Sequence, residues 1–353
     1  MTELSKRQLA ILSAVVSQYS LSGEPVGSKA IQAAFDGQIS SATIRSEMGE
    51  LSELGYLEQP HTSAGRVPTS RGYRLYIDRL MPRQTLSDIQ RRAIDDILPA
   101  DDDPERLLGR AARQLAELTN LAALSTTSTG QGATLLKAQA FLMSEQTALL
   151  VAVSGDGVIR NKVCRCDFPI TEQMLQAFHR LIDRFLLGRP LGELSRAAAQ
   201  TLAAGGGEYL LELTPLIVGL FDLIVELSEL DLKLGGETNL LKHREYDGGR
   251  GKELLDFLSH HDMVLPLLVG FEDSVGVMLG SDTPIKALSD SSMVIAHYSI
   301  GDRPAGKIGI IGPMRMNYSS LIPALSYFAG KLGLLMRQAT ENMEGDTNSA
   351  KEE

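Results

Sequence analysis

The chain of 353 residues has no tryptophan, two cysteines and an aromatic content of 5%. Two cysteines cannot build a disulfide framework. Cys164 and Cys166 would share one face if Val163–Asp167 is a strand, but no second cysteine pair or nearby histidine completes a zinc site, so reduced structural thiols are expected. No stretch is apolar over the roughly 18 residues a membrane span needs, and the N-terminal residues lack a signal-peptide pattern, so a cytoplasmic protein is expected. A catalytic constellation is missing too. His260-His261-Asp262 is a candidate in name only, because adjacent histidines point apart in regular structure and no serine or cysteine nucleophile motif accompanies them. Gly306, Gly309 and Gly312 lack the Lys-Ser/Thr of a phosphate loop, and Pro313 removes an amide donor, which leaves a glycine-bearing strand and turn. No enzyme, cofactor or metal site is expected.

Basic excess is also lacking: the formal net charge is −10. Averaged over the chain, that opposes nucleic acid, yet the charge is uneven. Residues 1–83 hold nine basic and eight acidic side chains, against 25 and 36 in the remainder. Any binding to nucleic acid is therefore confined to the N-terminal part, and the acidic remainder limits indiscriminate coating.

The most informative stretch is Ile39–Arg83. Ser40 is a good N-cap, and Ile39 can pack on Ile44 as a hydrophobic staple, so a helix starts near Ser41. At helical spacing Ile44, Met48, Leu51 and Leu54 form an apolar stripe, while Ala42, Ser46 and Gly49 face away, flanked by Thr43 and Arg45. A small, polar leading face suits entry into a DNA major groove, and the helix N-terminus favours phosphate. Glu47, Glu50 and Glu53 would be repelled by the backbone, so the C-terminal half must lift away. Gly55 fits the position that ends the helix.

Tyr56–Gln59 and Val67-Pro68 read as short strands around the turn-rich Pro60–Arg66, which makes a wing. A further helix from Thr69 carries Tyr73, Tyr76, Ile77 and Leu80 inward. Five arginines between His61 and Arg83 face one acid, Asp78. Upstream, Leu9, Leu12, Val16 and Tyr19 give a first helix its core face, Gly23–Gly27 breaks it, and Ser28 caps a short second helix with Ile31, Ala34 and Phe35. Three helices and a wing make a DNA-binding module. Its candidate contacts are Ser40, Ser41, Thr43, Arg45 and Ser46 on the third helix, His61, Thr62, Ser63 and Arg66 on the wing, and Arg71 and Arg74 beyond it.

GEPVGSKAI (Gly23–Ile31), SSATIRSEMGELSELGYLEQPHTSAGRVPTSRGYRLYID (Ser40–Asp78) and GIIGPMRMNY (Gly309–Tyr318) resemble the HrcA family of bacterial heat-inducible transcription repressors. The likeness spans nearly the whole chain in order. It implies a multidomain α+β fold: an N-terminal winged helix-turn-helix, a GAF-like α/β domain and an inserted α+β dimerising domain that interrupts it. It also implies repression of chaperone operons by a homodimer bound to an inverted-repeat CIRCE operator, with the GroE chaperonin as modulator. The family commonly has asparagine where Ser46 stands, which gives this chain a shorter reach there.

On this basis the expected layout is a winged helix over 1–83, a helical linker over 84–104, the GAF-like domain in two pieces over 105–134 and 231–340, the inserted domain over 135–230 and a disordered tail over 341–353. Within it, helices are expected over Leu86–Leu98, Glu105–Leu124, Thr171–Leu187, Leu191–Ala203, Glu208–Leu230, Lys252–Leu258 and from Asn317 to Arg337. Ser125–Gly132 reads as a polar boundary. Strands are expected over Lys137–Met143, Ala148–Val153 and Val158–Cys164, then Val264–Phe271, Val275–Leu279, Ser292–Ser299 and Gly306–Ile311. Leu216, Leu220, Leu223 and Leu227 serve equally as a dimer interface or as intradomain core. The alternative function is a small-molecule-responsive regulator that senses a metabolite through the GAF-like domain.

Overall fold

The computed structural model describes residues 4–61, 64–82, 84–101, 103–127, 133–155, 157–194 and 210–349. Helix α1 (Lys6–Ser22) begins at a reciprocal cap: the Ser5 hydroxyl accepts from the Gln8 amide, and the Gln8 side chain accepts from the Ser5 amide. It buries Ile11, Leu12, Val15 and Val16, so its inward stripe is rotated from the expected one and leaves Leu9 and Tyr19 half-buried. α2 (Ser28–Ala34) and α3 (Ser41–Glu53) follow, then β1 (Leu57–Glu58) and β2 (Val67–Pro68), which pair antiparallel with Glu58 opposite Val67. α4 (Ser70–Leu75) runs into a π-helical turn at Tyr76–Leu80, with Tyr73 and Tyr76 buried.

The second unit is a five-stranded antiparallel sheet of order β7-β3-β10-β9-β8. Its strands are β3 (Ala122–Thr127), β7 (Leu232–Gly235), β8 (Val275–Leu279), β9 (Ser291–Ile300) and β10 (Arg303–Pro313). One face packs through Ala123, Val294, Ala296, Ile308 and Ile310 onto α6 (Pro104–Thr119) and the last helix, α11 (Tyr318–Ser349). The other packs through Ala122, Leu124, Met293 and Ile295 onto α9 (Arg250–Ser259) and α10 (His261–Val269). β8, β9 and β10 lie where strands are expected, and the three glycines fall on β10.

The structure departs from expectation in four places. The helix from Glu105 stops at Thr119, where Asn120 turns left-handed (φ 52°), and Ala122–Thr127 is a fully buried strand. Ala and Leu carry no strand signal of their own, and Ser125, read as boundary, is instead satisfied by donating to the Leu108 carbonyl at 2.9 Å. Val264–Phe271 is largely helix α10, not a strand. A continuous apolar run fits a buried helix as well as a strand, and Val264 and Leu268, one turn apart, are the residues that bury. His261 and Asp262 open that helix rather than sitting in a loop. The last helix runs past Arg337 into the expected tail, to Ser349, since no proline after Pro323 interrupts it.

Between β3 and β7 the chain forms a third unit: a sheet of order β4-β5-β6, made of β4 (Leu135–Ser144), β5 (Thr147–Ser154) and β6 (Ile159–Arg165). Ala140, Ala148, Leu150, Ala152 and Cys164 are buried under α7 (Glu172–Phe185) and α8 (Leu210–Ser228). Leu216, Leu220, Leu223 and Leu227 lie within this core. The helix expected over Leu191–Ala203 is represented by a 3-10 turn at Leu191–Glu193 that ends at Leu194, and residues 195–203 lie outside the described residues.

The units are joined by specific contacts. α5 (Asp88–Ile97), the expected linker helix, lies on α11: the Tyr327 hydroxyl donates to Asp95 at 3.0 Å and Lys331 pairs with Asp95 at 3.3 Å. The N-terminal helices share one apolar core with α11, and Tyr73 meets Tyr318 edge to face at 6.2 Å. Within α11, Tyr318–Glu341 is long and apolar enough to cross a membrane, in contrast to the expectation from sequence. It packs on the sheet instead, with Leu325, Phe328, Leu332 and Leu335 buried.

Candidate nucleic-acid interface

The third helix is built as its residues demand. The Ser40 hydroxyl accepts from the Thr43 amide at 3.1 Å, satisfying one of the first-turn donors, a contact worth about 1 kcal/mol. Ile44, Met48 and Leu51 are buried. At the far end Gly55 takes φ 78°, its amide donates to Ser52 O at 3.0 Å and the Tyr56 amide to Leu51 O at 2.9 Å, the double bond pattern of a left-handed stop. A side chain at Gly55 would be strained in that conformation.

This leaves a defined outer face. Ala42, Arg45 and Ser46 are exposed, and neither Arg45 nor Ser46 engages another side chain among the described residues. Thr43 is half-buried and shares a hydrogen bond with the Ser40 hydroxyl at 2.8 Å. Ser41 is drawn inward to Ser28 of α2, hydroxyl to hydroxyl at 2.9 Å, so it couples α2 to α3. The acids are turned toward α1: Arg7 pairs with Glu47 at 3.3 Å and the Gln8 amide group donates to Glu50 at 2.9 Å. The negative half of α3 is thereby tied down on the side away from Arg45.

The hairpin is fixed at its base. Val26 and Arg66 exchange backbone hydrogen bonds, both at 2.9 Å, which adds Val26 as a third rung beside β2. A β-carbon at Gly65 would lie 2.4 Å from the Val26 carbonyl oxygen, so only glycine allows this approach. His61 is exposed near the tip, where its carbonyl accepts from the Ala64 amide at 2.9 Å. Thr62 and Ser63 lie outside the described residues.

The three remaining arginines are engaged within the protein. Arg66 Nε donates to the Ser52 hydroxyl at 2.9 Å, holding the hairpin to α3. Arg71 donates to Leu54 O at 2.8 Å and to the Tyr56 hydroxyl at 3.2 Å, with its guanidinium 4.4 Å over the Tyr56 ring. Arg74 faces the five-stranded sheet, where it donates to Val277 O at 3.2 Å and pairs with Asp282. Local arginine density signalled a basic surface, but helix position decides which guanidinium is free. Lys29, exposed on α2 next to the Ser28–Ser41 contact, is a cation that reasoning from sequence did not single out. Its position in GSKAI, one residue after a helix start, was the available signal. Among the described residues no group of three or more His, Cys, Asp or Glu is arranged to hold a metal ion.

Comparison with known proteins decides the kinship. A family profile described as the HrcA protein C-terminal domain matches residues 105–322. The chain belongs to the HrcA family. It is 33% identical over 329 residues to the heat-inducible transcription repressor HrcA of Lachnoclostridium phytofermentans, covering 92% of this chain and 95% of that one. The protein of the same name from Symbiobacterium thermophilum is 32% identical over 339 residues, covering 95% and 99%. A crystal structure titled as a hypothetical protein at 2.2 Å resolution shares the fold with a TM-score of 0.64 at 23% identity, over 96% of this chain and 100% of that one.

Proposed function

We propose that this HrcA-family chain is a sequence-specific transcription repressor, that residues 1–83 are a winged helix-turn-helix, and that α3 is its groove-reading helix. The observation that carries the reading is the contrast on α3: Arg45 and Ser46 stand exposed and unengaged behind a capped N-terminus, while Glu47 and Glu50 are held against α1. An arginine left free on a small polar helix face is what direct readout of a base edge requires. His61, exposed beside the hairpin, and its sequence neighbours Thr62 and Ser63 would reach backbone or minor groove, and Ser40, Ser41 and Thr43 would support the docked helix end. Lys29 adds a phosphate contact beside it. The repressor name of the relatives and the family membership point the same way.

In this reading the five-stranded unit, residues 105–134 and 231–340, is the GAF-like domain, and residues 135–230 are an inserted dimerising domain. A homodimer is favoured by α8: Leu211, Val218 and Val225 repeat every seven residues on its outer side and are 74%, 54% and 57% exposed. The operator is then an inverted repeat, as the CIRCE element of the family is, released on heat stress with GroE chaperonin as modulator, in the cytoplasm. The activity is recognition, not catalysis. The test is a gel shift of the full chain on an inverted-repeat operator against random DNA of equal length. Preferential binding that footprints both half-sites is expected; equal affinity for the two DNAs would refute the reading.

A further inference from the structure

The sheet face beneath α9 and α10 is apolar through Ala122, Leu124, Met293, Ile295 and Ile311. One cross-strand row breaks it. Thr126 of β3, Lys307 of β10 and His297 of β9 stand side by side in register. The row walls a cavity of about 200 Å³ that is closed on the other side by Leu265 and Leu268 of α10, with Thr127 at one end. That is the liquid volume of about six or seven water molecules, enough for a small metabolite.

The chemistry of the wall is lopsided. Lys307 Nζ donates to the carbonyls of Leu268, Val269 and Phe271 at the C-terminal end of α10, yet no carboxylate lies within ion-pair distance of it among the described residues. Burial pulls its ammonium below the ordinary lysine range. The Thr126 hydroxyl accepts from the Lys307 amide at 3.2 Å and the Thr127 hydroxyl from the Asp231 amide at 3.1 Å, which leaves both hydroxyl protons to be donated. His297 Nε2 donates to Phe271 O at 3.1 Å, so its other nitrogen is an acceptor in the neutral ring that burial and Lys307 favour. A lysine serving only to cap α10 would need neither the cavity nor the two spare hydroxyls.

We infer that this cavity binds a small aliphatic carboxylate, its anionic end accepting from the Thr126 and Thr127 hydroxyls in the field of the Lys307 ammonium, whose own protons stay on the α10 carbonyls, and its chain against Leu265 and Leu268. A cation with no direct ion-pair partner, Glu272 acting on it only at longer range, favours an anion beside the hydroxyl donors, and the opposite wall selects a hydrocarbon body over a bare inorganic ion. The site lies where the three-stranded unit is attached. Thr127 is the last residue of β3, its amide donates to Asp231 O at 3.2 Å on the returning strand, and Leu230 also lines the cavity. Occupancy therefore bears on the point of attachment of that unit. The inference does not depend on the repressor reading.

Calorimetric titration of the full chain tests it, with butyrate, hexanoate, 1-hexanol and inorganic phosphate as probes. Saturable binding of a carboxylate is expected, with hexanol and phosphate each at least about tenfold weaker. Lys307→Gln should weaken carboxylate binding about tenfold or more. Leu265→Phe, which fills the cavity and leaves the Lys307 contacts in place, should abolish it, and this variant decides the matter if Lys307→Gln fails to fold. Absence of saturable binding by both carboxylates, phosphate binding as tight as hexanoate, or unchanged binding in Leu265→Phe would overturn the inference.

Discussion

Arg45 and Arg74 carry the same charge in the same module, and their surroundings give them opposite roles. Arg45 is exposed and unengaged, so Arg45→Ala should leave the melting temperature unchanged and cost about 1–3 kcal/mol of operator affinity if it meets a base edge, with random DNA little affected. Equal loss on both DNAs would make it a phosphate contact. Arg74 is committed to Asp282 and Val277 O, so Arg74→Ala should lower the melting temperature and leave the salt dependence of binding as it was. A slope shallower by about one counterion would show that Arg74 reaches a phosphate after all. His179 offers a third case. Its Nε2 accepts from the Ala140 amide at 3.0 Å on the edge strand β4, so it must be neutral there. Burial holds its pKa below the ordinary imidazole value, against Asp183 and Glu172, which raise it. A depressed histidine pKa means that the unfolded chain binds the extra proton first, so the contribution is complete above about pH 6.5 and lost as pH falls toward the folded value. Stability of the three-stranded unit, followed by hydrogen exchange, should fall from pH 7 to pH 5. His179→Gln, which keeps an acceptor, should flatten that dependence, and an unchanged profile would remove His179 as its source.

At the level of elements, the two sides of α8 divide the apolar residues cleanly. Leu216, Leu220, Leu223 and Leu227 are core, and Leu211, Val218 and Val225 are outside. Val218→Lys with Val225→Glu should therefore spare the fold and shift the chain toward monomer in sedimentation, with operator affinity falling because linked half-sites are no longer presented together. A stable dimer in this variant would place the contact elsewhere. Leucine spacing shows that α8 has apolar residues around most of its circumference, but which side a sheet covers is a property of β5 and β6, far away in sequence. The same limit explains the other gains and losses. Ser40, Gly55 and the β1–β2 hairpin were legible because caps, left-handed stops and turns are local chemistry. The strands β4, β5 and β6 were legible from alternation and their hairpins. Ala122–Thr127 is not, because a strand buried on both faces has no alternation to show, and the apolar run Val264–Phe271 reads as a strand for the converse reason. At the site, exposure of Arg45 followed from its helix face, whereas Arg66, Arg71 and Arg74 meet Ser52, Tyr56 and Asp282 through contacts no spacing rule encodes.

Across the whole molecule, the helical N-terminal unit is bound to the five-stranded unit by two kinds of contact that respond differently to conditions. The apolar kind is the Tyr73–Tyr318 edge contact within a shared core. The ionic kind is Arg74–Asp282 and Arg244–Glu24 at 2.8 Å, beside which the Arg315 guanidinium, paired with Glu245 inside the five-stranded unit, lies 3.3 Å from where a Gly23 β-carbon would be. The three-stranded unit is held similarly: Lys233 bonds Glu105 at 3.0 Å and Asp231 at 2.9 Å, while Arg160 on β6 reaches both acids at 3.7 Å. Isolated exposed pairs contribute little, typically below about 1 kcal/mol, but Asp231 and Arg160 are largely covered and share partners, which makes this junction the stronger of the two ionic ones. Moderate salt should accordingly loosen the first junction before the second. Limited proteolysis of the full chain with rising salt should release the N-terminal unit while the three-stranded unit stays docked, and Arg160→Gln should reverse that order. Simultaneous release of both in the unmodified chain would mean that the shared apolar core, and not the ion pairs, sets the stability of the assembly. Heat would then open the molecule all at once, and a brief heat pulse should abolish operator binding in a single step that added salt does not shift.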